Sequence, residues 1–574
     1  MREPGGVGQP AAREDTVDTM QAAIQVDCGD WLGPLRRIWA SIGYDEINWT
    51  YTRRGKEVYR TLRDLAEVPY TVRNHNALTS GNGLSEPAQG STNVYNEMPD
   101  GTVHYDWSIL DQTYDTITCA GFRPLIELGF MPRDLVSAEI AGSSWLRDVG
   151  QERYETEGLW KCPPKDFERW GELVYEFVRH CVARYGAPAV EGWHFEVWNE
   201  PDLPNYWKGG FEDYCRLYDV SVAAATRALP TVKVGGPATS GPATDSARAF
   251  LARFLEHCVS GRNSVSGGTG TRLDFISFHT KGAHYSRRRV YNLHAPVERE
   301  CPSSASMLRD MRAGLETLRG FPTLRDLPVF VDECDPAVGT IYGVHDNPNF
   351  IVTNTPHYPT FLCALVKRIL DLDRQFGDRI ALITTWAFYM EGKRFFEGNR
   401  TLVDNENIAK PILNGFRMLA RLGQTRLRTR SSHGRDVLQD AAPAAEVDAL
   451  AAAAGDRISV LVWHQADAWW AEGLADVDVE ITGLPFQGAA RVRHWRLDGE
   501  HSNAYAEWVR LGEPQDPSPA QIARIKSRQG LELFEPPLVL QVGADRGLDL
   551  RFPLPLFGAS LLEIEPDRGQ GSIA

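Results

Sequence analysis

The sequence predicts an α/β chain: a (β/α)8 TIM barrel with a C-terminal antiparallel β-sandwich domain. Three observations predict it. Strand-like and helix-like runs alternate through roughly the first 400 residues, as βα units closing a barrel do. Two apolar strand-like runs stop abruptly at a glutamate with a proline close behind, as expected where a barrel strand meets its loop. Beyond about Thr425 the helical runs give way to short alternating strands set between Gly, Pro and Asp turns. The expected division is a mobile N-terminal tail over 1–20, a strand within 21–34 that pairs with the sandwich, the catalytic barrel over 35–424 and the sandwich over 425–574.

Taken in order, a short strand is expected at 22–27, and Leu35 to Trp39 lead into the first barrel strand at 41–44. The second is expected at 70–76 (Y-T-V-R-N-H-N) and the third at 124–130 (P-L-I-E-L-G-F). A helix over 166–185 opens after Pro163-Pro164, with Phe167, Trp170, Val174, Phe177, Val178 and Cys181 mostly three or four apart. In the fourth strand Trp193, Phe195 and Val197 alternate with His194 and Glu196, and the run stops at Asn199-Glu200-Pro201. Strands five to eight are expected at 232–235, 273–279, 328–332 and 380–388, with Trp386, Phe388 and Tyr389 closing the barrel. Arg287-Arg288-Arg289 reads as a solvated loop, and the Ala-rich stretch at 441–454 as a turn and strand edge.

Composition bounds the function. The 574 residues are 43% hydrophobic and 24% charged, an ordinary globular balance. No apolar run is long enough to span a bilayer, and the first residues lack the apolar core of a secretory signal. A net charge of −15 repels nucleic acid and anionic membranes. The nine cysteines are odd in number and widely spaced, with no C-x-x-C, so they read as reduced thiols rather than disulfides or a zinc site. A cytoplasmic protein is expected, and a homo-oligomer is compatible with this composition.

The chemistry concentrates at strand ends, where a βα barrel places its active site. Glu200, behind an amide and among Trp193, Trp198 and Trp207, suits a general acid that grips a sugar. Glu333, in P-V-F-V-D-E-C-D-P, repeats that logic at strand seven, unless Asp332, Glu333 and Asp335 form a solvated acidic turn. Two such carboxyl groups ~5–5.5 Å apart hydrolyse a glycosidic bond with retention, one protonated and one ionised. Asn199 either binds a sugar hydroxyl or caps its own turn. Arg73 and His75 share one strand face; Arg73 either holds a nucleophile ionised or makes a structural ion pair. His279 and Lys281 share a face in the same way. The two histidines either bind sugar hydroxyls or sit satisfied in the core. Lys281 and Arg400 either bracket a substrate carboxylate or are solvated loop cations. Trp386 can offer a platform to a sugar face or simply fill the core.

Several stretches together carry a resemblance: P-L-R-R-I-W-A-S-I-G before strand one, V-R-N-H in strand two, W-N-E-P after strand four, H-T-K-G-A after strand six, D-E-C-D-P-A-V-G after strand seven and N-R-T-L after strand eight. They resemble glycoside hydrolase family 39, the family of β-xylosidases and α-L-iduronidases. The resemblance implies that Glu200 is the acid/base and Glu333 the nucleophile of a double displacement. It implies that Arg73, His75, Asn199, His279, Lys281 and Arg400 stand at active-site positions, Lys281 and Arg400 being contacts to a uronate carboxylate. The chain departs from the iduronidase pattern at strand eight, where Thr385-Trp386 replaces Asp-Asn and an acidic substrate-binding group is missing. The expected activity is removal of a terminal β-D-xylosyl or related pentosyl residue from an oligosaccharide or glycoside, without cofactor or metal. An α-L-iduronidase-like uronidase is the alternative. A catalytically inactive carbohydrate-binding barrel is the reading from another class, but it would lack one of the two glutamates. A zinc hydrolase would need H-E-x-x-H and a nucleotide enzyme G-x-x-x-x-G-K-[ST], and neither motif occurs.

Overall fold

The structure, a computed structural model, describes residues 19–65, 67–82, 90–137, 154–155, 157–285, 298–339, 342–386, 388, 394–440 and 444–568. The expected tail up to residue 18, the basic triplet at 287–289 and Tyr389 lie outside the described residues.

Eight parallel strands form the barrel: Ser41–Tyr44, Thr71–Asn74, Arg123–Leu128, His194–Val197, Val234–Thr239, Phe275–Phe278, Val329–Val331 and a last strand in two pieces, Ile380–Ile383 and Thr385–Trp386. They pair in chain order. The first piece of the last strand pairs with strand seven, Phe330 opposite Leu382, and the second returns to strand one, Thr385 opposite Ile42, closing the ring. The strands sit where the sequence puts them, with ends shifted by a few residues; strand five runs on to Thr239. The helix expected at 166–185 is Phe167–Tyr185, capped by the Asp166 carboxylate, which accepts from the amides of Glu168 and Arg169.

Side chains two apart on these strands point the same way, so the interior is built in layers. The lowest is apolar: Leu125, Phe275, Phe330 and Leu382 form one buried cluster. Two residues further along each strand come Glu127, Ser277 and Asp332, level with Arg73 and Glu196, all fully buried. Above them stand His75, His279 and the loop residues of the mouth. A charged layer inside an otherwise apolar barrel survives only if its charges compensate one another.

The C-terminal region folds its strands into one continuous ten-stranded sheet over a core that includes Ile24, Val26, Val460, Val477 and Ile564. The pairing is antiparallel except at one place. Met20–Pro34 lies between Thr425–Ser431, antiparallel, and Leu474–Thr482, parallel. Barrel and sheet share a core through Leu450, Leu461 and Trp463, and the barrel helix His357–Arg374 is tied to the sheet by Lys367–Asp448 and Arg368–Glu446, each 2.7 Å. A smaller cluster of Phe396, Ile408, Trp508 and Ile525 supports the loop that carries Arg400. Among the described residues no helix is long and apolar enough to cross a membrane.

Candidate active site

A cavity of about 800 Å³ opens at the C-terminal ends of the barrel strands. His75, Glu200, His279, Lys281, Glu333, Trp386 and Arg400 line it. Arg73 and Asn199 are buried just behind the wall and reach the site through their neighbours.

Glu200 follows strand four by three residues. Its backbone has φ of 40° and that of Trp198 has φ of 72°, left-handed geometry that a side chain adopts only when its surroundings enforce it. The enforcement is visible: the Glu200 amide donates to the Ala238 carbonyl at 2.9 Å, and the Trp198 indole donates to the Tyr206 carbonyl at 2.9 Å. Glu200 Oε1 then lies 2.9 Å from His279 Nδ1. Glu333 Oε1 lies 3.8 Å from the same nitrogen. Those two carboxylate oxygens are therefore no more than 6.7 Å apart, the sum of 2.9 and 3.8.

Cations surround Glu333. Lys281 donates to Oε2 at 2.6 Å, Arg73 donates to Oε1 at 3.0 Å, and His75 Nε2 lies 3.4 Å from Oε1. Burial pushes this carboxyl upward, but Lys281, His75 and Arg73 outweigh it and hold Glu333 well below the usual carboxylate range. Arg73 spends its other nitrogens on Glu196, at 2.7 Å, and on the side-chain amide oxygen of Asn199, at 2.9 Å. His75 rests between Asp45, at 2.9 Å, and Glu127, at 3.0 Å. Burial favours neutral His75, yet Glu127, Asp45 and Glu333 raise its pKa well above the ordinary histidine value. His75 Nε2 and Arg73 Nη1 are 3.1 Å apart; with both groups charged, Glu127 and Glu333 between them hold the contact together rather than a bond from one to the other.

The acidic turn at strand seven is not solvated: Asp332 and Asp335 are fully buried. Asp335 accepts from Lys281 at 2.5 Å and from the Trp386 amide at 2.8 Å, and lies 3.1 Å from Arg400. Lys281 and Arg400 thus converge, as the bracketing idea required, but onto the protein's own carboxylate. Trp386 packs against His75 with the two rings tilted and their centroids 4.5 Å apart, and donates from Nε1 to Asp45 at 2.9 Å.

Sequence reasoning did not single out Asp45, Glu127 and Glu196 as site residues, and weighed Asp335 only as part of a turn. A signal was present for two of them. Glu127 in P-L-I-E-L and Glu196 in W-H-F-E-V are charges inside strands that a barrel buries on both faces, and such charges need partners.

A closed parallel barrel whose C-terminal mouth opposes two glutamates across a sugar-sized cavity defines the barrel glycosidases as a class. The particular family follows from comparison: the model of glycosyl hydrolases family 39 matches residues 24–530, and the chain belongs to that family. A β-xylosidase from Geobacillus stearothermophilus is 26% identical over 86% of this chain and 87% of its own length. The α-L-iduronidase of Canis lupus familiaris is 28% identical over 63% of this chain and 54% of its own. Among solved structures, a bacterial orthologue of human α-L-iduronidase superposes with a TM-score of 0.74 at 21% identity, over 96% of this chain and 84% of that one.

Proposed function

We propose that the chain is a retaining, exo-acting β-xylosidase that removes a terminal β-D-xylosyl or related pentosyl residue from oligosaccharides, with Glu333 as nucleophile and Glu200 as acid/base. The observation that carries this reading is the shared neighbour: both carboxylates reach His279 Nδ1, which bounds their nearest oxygens to 6.7 Å. The roughly 5–5.5 Å of retaining enzymes lies within that bound, and of the roughly 6.5–9.5 Å of inverting ones only the shortest separations do. Glu333, kept ionised by Lys281, Arg73 and His75, attacks the anomeric carbon while Glu200 protonates the leaving oxygen. Glu200, now ionised, then takes a proton from the water that opens the glycosyl ester. Asn199 supports the site from behind its wall, its side-chain oxygen held by Arg73 at 2.9 Å.

Charge balance favours a neutral pentoside over a uronide. Lys281 and Arg400 are already matched by Glu333 and Asp335, and Asp45 and Glu46 add negative charge to the same cavity. The uronide reading keeps one observation in its favour: Lys281 and Arg400 both line the cavity and approach one carboxylate, a frame into which a second carboxylate could dock. The test is a panel of aryl β-D-xyloside, α-L-arabinoside, α-L-iduronide and β-D-glucuronide, with the anomer of the first product followed by NMR. Cleavage of the xyloside with retention is expected; a first-formed inverted sugar, or turnover of the uronides alone, would refute the reading.

A further inference from the structure

Asp332 precedes the nucleophile and plays no part in the steps above. It is fully buried, and among the described residues no nitrogen or hydroxyl is placed to donate to either oxygen; the Glu196 carboxylate lies close enough to share a proton with it. The nearest cationic groups stand off: His279 Nε2 is 3.5 Å from Oδ1 and Arg73 Nε is 3.7 Å from Oδ2. Arg73 Nε is instead bonded to Glu196, which also accepts from Ser277 at 2.5 Å. A buried carboxylate anion that faces a second carboxylate is too costly to keep. His279 has the complementary deficit. Its Nδ1 meets Glu200 at 2.9 Å, while its Nε2 has no hydrogen-bond partner among the described residues.

We propose that Asp332 is a positioning residue that works as an uncharged acid, completing the Nε2 side of His279 and thereby leaving Glu200 free to hold or release its proton. The inference rests on the reading of Glu200 as acid/base. A neutral carboxyl group carries both an acceptor and a donor. Facing Nε2 it can accept Nε2–H while Nδ1 accepts from protonated Glu200, or donate to Nε2 while Nδ1–H supports ionised Glu200. An ionised Asp332 could do only the first. The charged neighbours are consistent with neutrality. Asp332 is faced by Glu196, Arg73 and His279, and burial together with Glu196 raises its pKa well above the carboxylate range. The imidazole is faced by Glu200, Asp332 and Glu333. The 3.5 Å gap to Nε2 is long for a bond, as such contacts often are before substrate closes the site.

Asparagine reproduces a neutral carboxyl group, since it too offers one acceptor and one donor without charge; valine offers neither. Kinetics of Asp332→Asn and Asp332→Val are therefore compared on two xylosides, one with a sugar leaving group that needs an acid and one with a dinitrophenyl group that does not. Asp332→Asn is expected to keep kcat/KM within about three-fold on both, while Asp332→Val loses about 10- to 100-fold on the sugar leaving group and far less on the other. Thermal melting checks that both variants fold. The proposal is overturned if the asparagine variant is as damaged as the valine one, or if valine costs both substrates equally. A wild type inert on both xylosides would instead remove the function on which it rests.

Discussion

Lys281 donates to Asp335 at 2.5 Å with the same ammonium that donates to Glu333 at 2.6 Å. The lysine that marks a uronide site by resemblance is thus also a counter-ion of the nucleophile. Its replacement cannot be a clean specificity switch. Lys281→Met should lower kcat/KM for xyloside as well as uronide, by about 10-fold or more, because it withdraws a charge-assisted bond from Glu333. The pH profile gives the sign. Lys281 helps hold the Glu333 pKa down, so removing it lets that pKa rise, and the acidic limb of kcat/KM moves to higher pH. An unmoved acidic limb would show that Lys281 does not act on the nucleophile.

The two glutamates should respond differently to leaving-group chemistry. Glu333→Gln removes the nucleophile and should cost orders of magnitude on every substrate. Glu200→Ala should cost about 10²–10⁴-fold on a sugar leaving group, the usual contribution of a general acid. On a dinitrophenyl xyloside its first step should proceed, and added azide should restore turnover by replacing the water that lacks a base. Failure of azide to rescue Glu200→Ala, with glycosyl azide absent from the products, would take the acid/base role away from Glu200.

The parts of this site that were legible in the sequence are those where an expensive group sits at a chain discontinuity. Glu200 and Glu333 each end an apolar run near a proline, and Arg73 with His75 follows from a two-residue period. The layer beneath was harder to see. Alternation of Trp193, Phe195 and Val197 with His194 and Glu196 looks like one buried and one polar face, but in a closed barrel the polar face is the interior. Nor can spacing along the chain show that Lys281 and Arg400 meet at Asp335, because three separate βα loops bring them together. That a strand within 21–34 joins the C-terminal sheet is legible, but not that Met20–Pro34 runs parallel to Leu474–Thr482, since the two are more than 400 residues apart.

Arg73 should matter more for folding than any other single cavity-side cation. It is fully buried and touches Glu196, Glu333 and Asn199 directly, with Glu127 and Asp332 at 3.7 Å. Arg73→Ala strips several buried carboxylates of their partner at once. Removing one member of a buried ion pair costs about 3–5 kcal/mol, so a marked fall in melting temperature should accompany loss of activity. Arg73→Lys should recover little, because one ammonium cannot reach three acceptors held in a planar fork. A lysine variant with wild-type stability would mean that the carboxyl layer is neutral by protonation rather than paired with Arg73.

Asp404 and Lys410 offer a stability test away from the chemistry. Asp404 belongs to the ribbon formed by Val403–Asp404 and Ile408–Ala409, and Lys410 follows it, behind the loop that carries Arg400. Lys410 Nζ donates to the Asn399 carbonyl at 2.6 Å, and Asp404 accepts the Phe396 amide at 2.7 Å. Burial pushes Asp404 up to about 7 and Lys410 down to about 8, each opposed by the charge of the other. Because the Asp404 pKa is raised on folding, its contribution is full at pH below the ordinary carboxylate range and is lost as pH climbs towards 7. Because the Lys410 pKa is lowered on folding, the unfolded chain binds the extra proton above pH 8, so stability is regained as pH rises from there towards the ordinary lysine range. The pair therefore digs a trough in stability between pH 7 and 8. Melting temperatures of wild type and of Asp404→Asn/Lys410→Met, measured across pH, should differ most in the variant's favour inside that window and converge towards both ends. A difference that does not vary with pH would mean that neither group changes its proton affinity on folding.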